Sequence, residues 1–461
     1  MSYLGNSPTD QSFVATVDYF NGDGVTVAFT LSRQVASVAQ VQAVIENVPQ
    51  NPSSAFTLMG NVITFTSAPP SGSANIYVYY TSPNTKVMAP SAGTVDRTAL
   101  AAAAVTPVKM ANGGAEFGIR NRIINGDMRI DQRNIGAAVA ADTGSPFVTD
   151  RWSIRHNTGG GTFTGQQTTP LTGSSYSKAL KLLVTAADSS IATTEFYVFR
   201  SKIEGFNIAD LQWGTSSAKP ITISFEVSAS VVGTYSVSVC NYNNSRCYVV
   251  PYTIVTANTP EVKTITILGD TGGTWYNDNG IGIDLVFNIG MGPTYTTSSP
   301  NTWLNGNFYA VSGQTQLIAT SGATFYITGV QLEKGTLATP FEYRPYANEL
   351  ALCQRYYYKI KAATNYANFG IGRAYSSSGA GINIELPVPM RAAPTGSTSS
   401  FANFNSSGTV TTPTNLDPVN QYDTNYRRMT INVVSTFVSG QAVALNAENT
   451  TSAEMSWSAE L

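Results

Sequence analysis

Apolar residues at every second position, interrupted at short intervals by Gly, Pro and Asn, are the feature that most restricts how this chain can fold. Val25, Val27, Phe29 and Leu31 alternate with polar or small neighbours after the turn Asn21-Gly22-Asp23-Gly24. Val41, Ala43 and Ile45 do the same beside Gln40 and Gln42. Strand side chains point to opposite faces in turn, so this period matches half-buried β-strands rather than helices. Phe56 and Leu58 lead through Met59-Gly60-Asn61 into Ile63 and Phe65, and Ile76, Val78 and Tyr80 follow the turn Pro69-Pro70-Ser71-Gly72. The pattern predicts a hairpin over residues 14–31 and five or six short strands up to residue 82, packed as a small antiparallel sandwich.

Similar patterns recur downstream. Phe325, Ile327, Gly329 and Gln331 fall on one face of a predicted strand and Tyr326, Thr328, Val330 and Leu332 on the other, as expected for a strand in the middle of a sandwich. Asp127, Arg129, Asp131 and Arg133 sit two apart with Met128 and Ile130 opposite, which reads as a charge ladder over an apolar face. Beyond residue 346, the run 349–359 reads as a short helical turn feeding a strand, and further strands are expected near 381–387, 398–404 and 429–435. No repeat of 20 to 50 residues is visible, which argues against a β-helix or propeller. The expected fold class is all-β, with several antiparallel β-sandwich or jelly-roll domains joined by a short Ala/Gly/Pro-rich neck. The domains are read as 1–85, a linker at 86–118, then 119–346 and 347–461. Within the linker, residues 98–105 are the one stretch that could hold a helix.

Composition narrows the chemistry. The 461 residues carry 26 Lys+Arg, 28 Asp+Glu and one His, and the formal net charge of -2 has no basic run that would serve a nucleic-acid partner. A single imidazole, His156, leaves little material for zinc binding or for a Ser-His-Asp triad. Cys240, Cys247 and Cys353 form an odd set without CxxC and are expected to be three free thiols. The first residues show no basic and apolar leader, and the apolar run 99–105 is too short to span a bilayer, so synthesis in the cytoplasm without membrane insertion is expected.

Three stretches resemble proteins of tailed bacteriophages. VDYFNGDGVTVAFTLSR and FTLMGNVITFTSAPPSGSANIYVYY look like the N-terminal virion-anchoring domain of podovirus-type tail fibres. From residue 118 to 346, NRIINGDMRIDQR, the Asp150-Arg151-Trp152 triplet, FYITGVQLEKG and ATPFEYRPY are similar, in colinear order, to phage tail-fibre and tail proteins with a carbohydrate-binding-module-like jelly roll. CQRYYYK and LPVPMRAAPT look like the terminal part of such fibres. The resemblance implies a tail-fibre subunit of the virion, docked on tail or adaptor proteins and working as a homotrimer, that adsorbs to a host cell-surface polysaccharide. A head fibre or capsid decoration protein is the alternative, followed by a glycan-degrading tail spike.

Enzymatic sites are thinly supported. The pairs Asp278 with Asp284 and Glu333 with Glu342 are the candidates for paired carboxylates of a glycosidase, yet Glu333 and Glu342 lie in the closing motif and Asp278 lies in a turn. No enzyme activity, catalytic residue, metal or cofactor is expected; an Asp278, Asn279 and Asp284 calcium site competes with a simple Asx turn. Sugar binding asks only for an exposed ring and nearby amides. Trp275, Tyr276 and Asn279 in one segment, Trp303 in another and Tyr242 at a hairpin tip have that composition, whereas Trp152 and Trp213 read as core.

Overall fold

The computed structural model describes residues 16–81 and 120–461, apart from positions 36, 53, 158, 406–409, 412–414 and 423–427. The predicted neck at 86–118 lies outside the described residues. The chain divides into two units, residues 1–104 and 105–461.

In the first unit, β1 (Val17–Gly22), β2 (Ala28–Thr30), β3 (Val41–Ile45), β4 (Val48–Pro49), β5 (Phe56–Met59), β6 (Val62–Phe65) and β7 (Gly72–Tyr80) form two sheets, ordered β1-β7-β3-β4 and β2-β6-β5. Phe56, Ile63, Ile76 and Val78 are fully buried in its core, as the alternation requires. The expected hairpin over 14–31 does not form. β1 pairs with β7, while β2 pairs with β6 in the other sheet. The turn between them is diverted: Asp23 Oδ1 accepts the amides of Val25 (2.8 Å) and Thr26 (2.6 Å), and Gly24 N–H donates to Pro69 O. Val25, meant for the buried face, is 80% exposed.

The second unit begins with a two-sheet sandwich. Its strands are β8 (Val139–Ala140), β9 (Phe147–Thr149), β10 (Trp152–His156), β11 (Thr162–Thr168), β12 (Ala179–Ala186), β13 (Phe196–Glu204) and β14 (Ile221–Ala229). There follow β15 (Gly233–Cys240), β16 (Arg246–Ile254), β17 (Glu261–Ile267), β18 (Ile281–Met291), β19 (Thr296–Thr297), β20 (Trp303–Asn305), β21 (Ala310–Val311) and β22 (Thr324–Lys334). One sheet runs β20-β16-β15-β18-β13-β10-β9 and the other β17-β14-β22-β12-β11-β8, with antiparallel pairing throughout both. Their inner faces meet through aromatic rings: Phe199 stacks on Phe287 at 5.1 Å, and Phe225 and Phe325 of the second sheet pack against them at 5.2 and 5.4 Å.

β22 is central, between β14 and β12, but its faces switch partway. Phe325 and Ile327 reach the core, and so do Val330 and Leu332, which the alternation put on the opposite face. The register shifts at Gly329, whose φ is +60°, and a Cβ there would lie 2.2 Å from the Tyr176 ring. Only glycine permits both the left-handed backbone and the ring above it.

The residues read as a charge ladder are not a strand. Asn125 and Met128 have φ of 58° and 59°, and the Asn125 side chain binds Ile130 N and O and Asp150 O, folding 120–138 into turns. Met128 and Ile130 are buried as expected. The charges pair locally or across the fold: Arg129 with Asp127, and Arg133 with Glu460 at 2.7 Å. Asp131 caps the amides of Asn134 and Gly136. The opening and closing phrases of the sandwich are thereby zipped together, since Asn121 N–H donates to Glu342 (2.9 Å) and Arg344 donates to the carbonyls of Asn121 and Ile123.

Helix α1 (Tyr346–Gln354) leads into the final β-rich part, with one sheet ordered Tyr357–Lys361, Glu454–Ser458, Thr395–Ser399 and a larger seven-stranded sheet. Its core holds Met455, Trp457, Leu445 and Ile382. It is bound to the sandwich by ion pairs whose carboxylates are buried: Glu204 accepts from Arg355 at 2.9 and 2.5 Å, and Glu460 accepts from Arg133 and Arg151.

The thiols also depart from expectation. Cys240 and Cys247 form a disulfide, and Cys353 alone is free and buried. They face each other across the β15–β16 hairpin with Cα atoms 4.2 Å apart. Because Asn241 N–H donates to Arg246 O at 3.0 Å in the next pair, the cysteines occupy the closer, non-hydrogen-bonded position. The five residues that open the loop between them, Asn241 to Ser245, are turn-forming and were the available signal.

Candidate functional site

At one end of the sandwich, two loops converge on three tryptophans. The first, after β13, makes short 3-10 turns at Gly205–Asn207 and Ala209–Leu211 and continues to Pro220; the second joins β17 to β18. They touch at Gly214, whose φ is +83° and where a Cβ would stand 3.0 Å from Gly273 O, and Gly214 N–H donates to Asp270 O at 2.8 Å. The approach places Trp213 edge-on to Trp275 (4.6 Å) and Trp303 (5.3 Å), with Trp275 and Trp303 5.4 Å apart. Each ring N–H is satisfied: Trp213 by Lys219 O, Trp275 by Asp270 Oδ2 and Trp303 by Leu268 O. Edge-to-face pairs of this kind contribute about 0.5–1.5 kcal/mol each beyond area burial.

Asp270 organises this end. Fully buried, it takes two bonds from Arg246 (Nε 3.0 Å, Nη2 2.7 Å) besides that of Trp275. A planar guanidinium fork matched to a carboxylate gives a rigid, directional pair. Hydrogen bonding to Asp270 in turn raises the Arg246 pKa.

Beside the cluster opens a cleft of about 420 Å³, lined by Ile208, Ala209, Gln212, Trp213, Thr215, Ser217, Trp275, Tyr276 and Asn277. This lies within the size range of small-molecule sites. Its lining combines aromatic and aliphatic side chains with amides and hydroxyls. At the rim, Tyr276 stacks on Tyr242 with centroids 4.2 Å apart and an interplanar angle of 22°. Tyr242 sits in the turn closed by the disulfide, so the bond fixes one half of this stacked pair. Hydrogen bonding with Tyr242 raises the pKa of the Tyr276 phenol, which stays protonated at neutral pH.

The five residues singled out in the sequence therefore meet different fates. Trp275 and Tyr276 line the cleft, and Tyr242 supports Tyr276 from outside it. Trp303 is half-buried, packed on Trp213, Trp275 and Tyr248, and does not line the cleft. Asn279 donates to Arg391 O at 3.3 Å and so belongs to the contact with the final β-rich part. Sequence reasoning left Trp213 to the core, where it is 6% exposed, although one edge reaches the cleft. Gln212, Thr215 and Ser217 were missed; their signal was a Gly-Thr-Ser loop directly after a tryptophan.

The other candidates are occupied elsewhere. Asp278 Oδ1 accepts Gly280 N–H at 2.8 Å, an Asx turn, while Asp284 is buried on β18 against Arg200 at 3.1 Å. Glu333 accepts from Thr339 N and Oγ1, and Glu342 from Asn121 N. His156 ends β10 with its ring nitrogens facing the carbonyls of Ala141 and Asn157. Among the described residues no group of three or more His, Cys, Asp or Glu could hold a metal ion. On the outer face of the sandwich sheet that holds β13 and β18, Tyr309 and Ala310 cover Phe196, Val198 and Val286, so that stretch offers no open surface.

No protein-family model matches the chain, and no curated protein matches it in sequence. Solved structures with a similar arrangement include the enzymatically active domain of tailspike protein 4 of bacteriophage CBA120, at 12% identity and TM-score 0.25 over 46% of this chain. That match spans 21% of the tailspike chain. The CBM22-1 xylan-binding domain of Paenibacillus barcinonensis Xyn10C is similar at 10% identity and TM-score 0.23, over 45% of this chain and 99% of that one. The family 11 carbohydrate-binding module of Clostridium thermocellum is similar at 12% identity and TM-score 0.21, over 43% and 96%.

Proposed function

We propose that this chain is a glycan-binding, non-catalytic fibre subunit of a tailed bacteriophage, adsorbing to a polysaccharide of the bacterial surface. The observation that carries the binding role is the cleft itself. Its half-exposed Trp275 and Tyr276 rings offer faces for a pyranose ring, and Gln212, Asn277, Thr215 and Ser217 offer donors and acceptors for hydroxyls. Such a wall offers a sugar no pair of carboxyl groups of the kind that glycosidases use, because none of its lining residues is a carboxylate. The fibre role is supported by the colinear phrases from residue 118 to 346. Within it, the first unit docks on tail or adaptor proteins, the second faces the receptor, and the subunit works as a homotrimer.

The test uses the full chain. Incubated with the host's purified surface polysaccharide, it is expected to be retained on immobilised polysaccharide, to block phage adsorption, and to leave the polymer's size distribution unchanged. Shortened polymer, or adsorption at its normal rate in the presence of saturating protein, contradicts the proposal.

A further inference from the structure

We infer that the saccharide taken by this cleft is uncharged, an inference that rests on the glycan reading above. None of the nine residues lining the cleft carries a charge at neutral pH. Recognition of a uronate, sialate or phosphorylated sugar calls for a cation able to replace the water around the anion, most effectively an Arg fork. Burying an anion without such a partner is costly.

Four of the cations near this end of the sandwich are already committed. Arg246 gives Nε and Nη2 to Asp270 and Nη1 to Asn305 Oδ1 at 2.9 Å. Arg391 gives its three nitrogens to the carbonyls of Ala459, Asn279 and Glu460. Arg122 and Lys334 both pair with Asp210. Lys219 offers its carbonyl to Trp213, and its side chain does not line the cleft.

The anions point the same way. Asp278 follows Asn277 in the exposed turn and uses one oxygen for the Gly280 amide, so its charge stands at the rim, where it repels an acidic sugar. Asp270 is behind Trp275, neutralised by Arg246. The phenol of Tyr276 is neutral, its proton shared with Tyr242. What is left is a ring face to stack on and uncharged groups to hydrogen-bond, which suits the apolar face and hydroxyl edge of a neutral hexopyranose.

The experiment titrates the full chain and its Tyr276→Ala variant with two sets of oligosaccharides. The neutral set derives from glucan, mannan and galactan, and the acidic set from polygalacturonate and alginate. The expected result is binding confined to the neutral set, changed less than about twofold between low salt and about 0.5 M NaCl, and weakened roughly 5- to 150-fold by Tyr276→Ala. Binding of the acidic set that falls with salt and is lost in Tyr276→Ala overturns the inference while leaving the glycan reading in place. Binding of neither set overturns both.

Discussion

Arg344→Ala is expected to lower the stability of the second unit by about 3–5 kcal/mol, the usual result of removing one partner of a buried ion pair. Arg344 is 7% exposed and its guanidinium binds the carbonyls of Asn121 and Ile123 together with Glu349 at 3.1 Å and Glu342 at 3.4 Å. Truncation leaves the 3% exposed Glu349 carboxylate without its cation and two buried carbonyls without donors. The effect exceeds that of an exposed pair because water cannot replace the lost partners. Arg344→Lys keeps the charge but not the fork, and should fall between parent and Arg344→Ala. Chemical denaturation measures all three. Equal midpoints would remove the junction of the two phrases from the account of stability.

Asp150→Asn should flatten the pH dependence of stability. Burial raises the Asp150 carboxyl from 3.8 to about 7, against the lowering effect of the Gln132 amide (2.8 Å) and Arg133, and Glu460 adds to the rise. A carboxyl with a raised pKa binds its proton more tightly when folded. Its contribution is fully present below pH 3.8, declines as the pH rises, and is lost above about 7. Three pK units correspond to roughly 4 kcal/mol across that window. Asparagine keeps an acceptor for Gln132 and has no proton to lose. Denaturation midpoints from about pH 4.5 to 8 should therefore fall more steeply for the parent than for Asp150→Asn. Parallel curves for the two proteins would show that Asp150 titrates as an ordinary carboxylate.

Strand existence was legible wherever apolar residues alternated, because period two is a local property of the backbone. Strand partners were not: β1 lies beside β7, more than 50 residues away, and nothing near Val17 encodes that choice. Local side-chain bonding defeated the period at residues 127–133, where Asn125 holds the backbone in turns although the charges still fall two apart. A ring from a distant segment defeated it again at Gly329. The site followed the same division. Trp275, Tyr276 and Tyr242 stood out as aromatic residues among amides in turn-rich segments, and they come together. Trp303 and Asn279 had the same local composition, yet Leu268 and Arg391, remote in sequence, take them for structural contacts.

The central claim, that the cleft beside the tryptophan cluster binds glycan, is tested most directly by a paired measurement on Tyr276→Ala and Trp303→Ala, with thermal melts alongside titration by host surface polysaccharide. Tyr276→Ala should melt with the parent and bind roughly 5- to 150-fold more weakly, since its ring forms the rim. Trp303→Ala should lose about 3–5 kcal/mol of stability, since its ring fills the cluster. A Tyr276→Ala protein that is folded and binds polysaccharide as tightly as the parent would contradict the account.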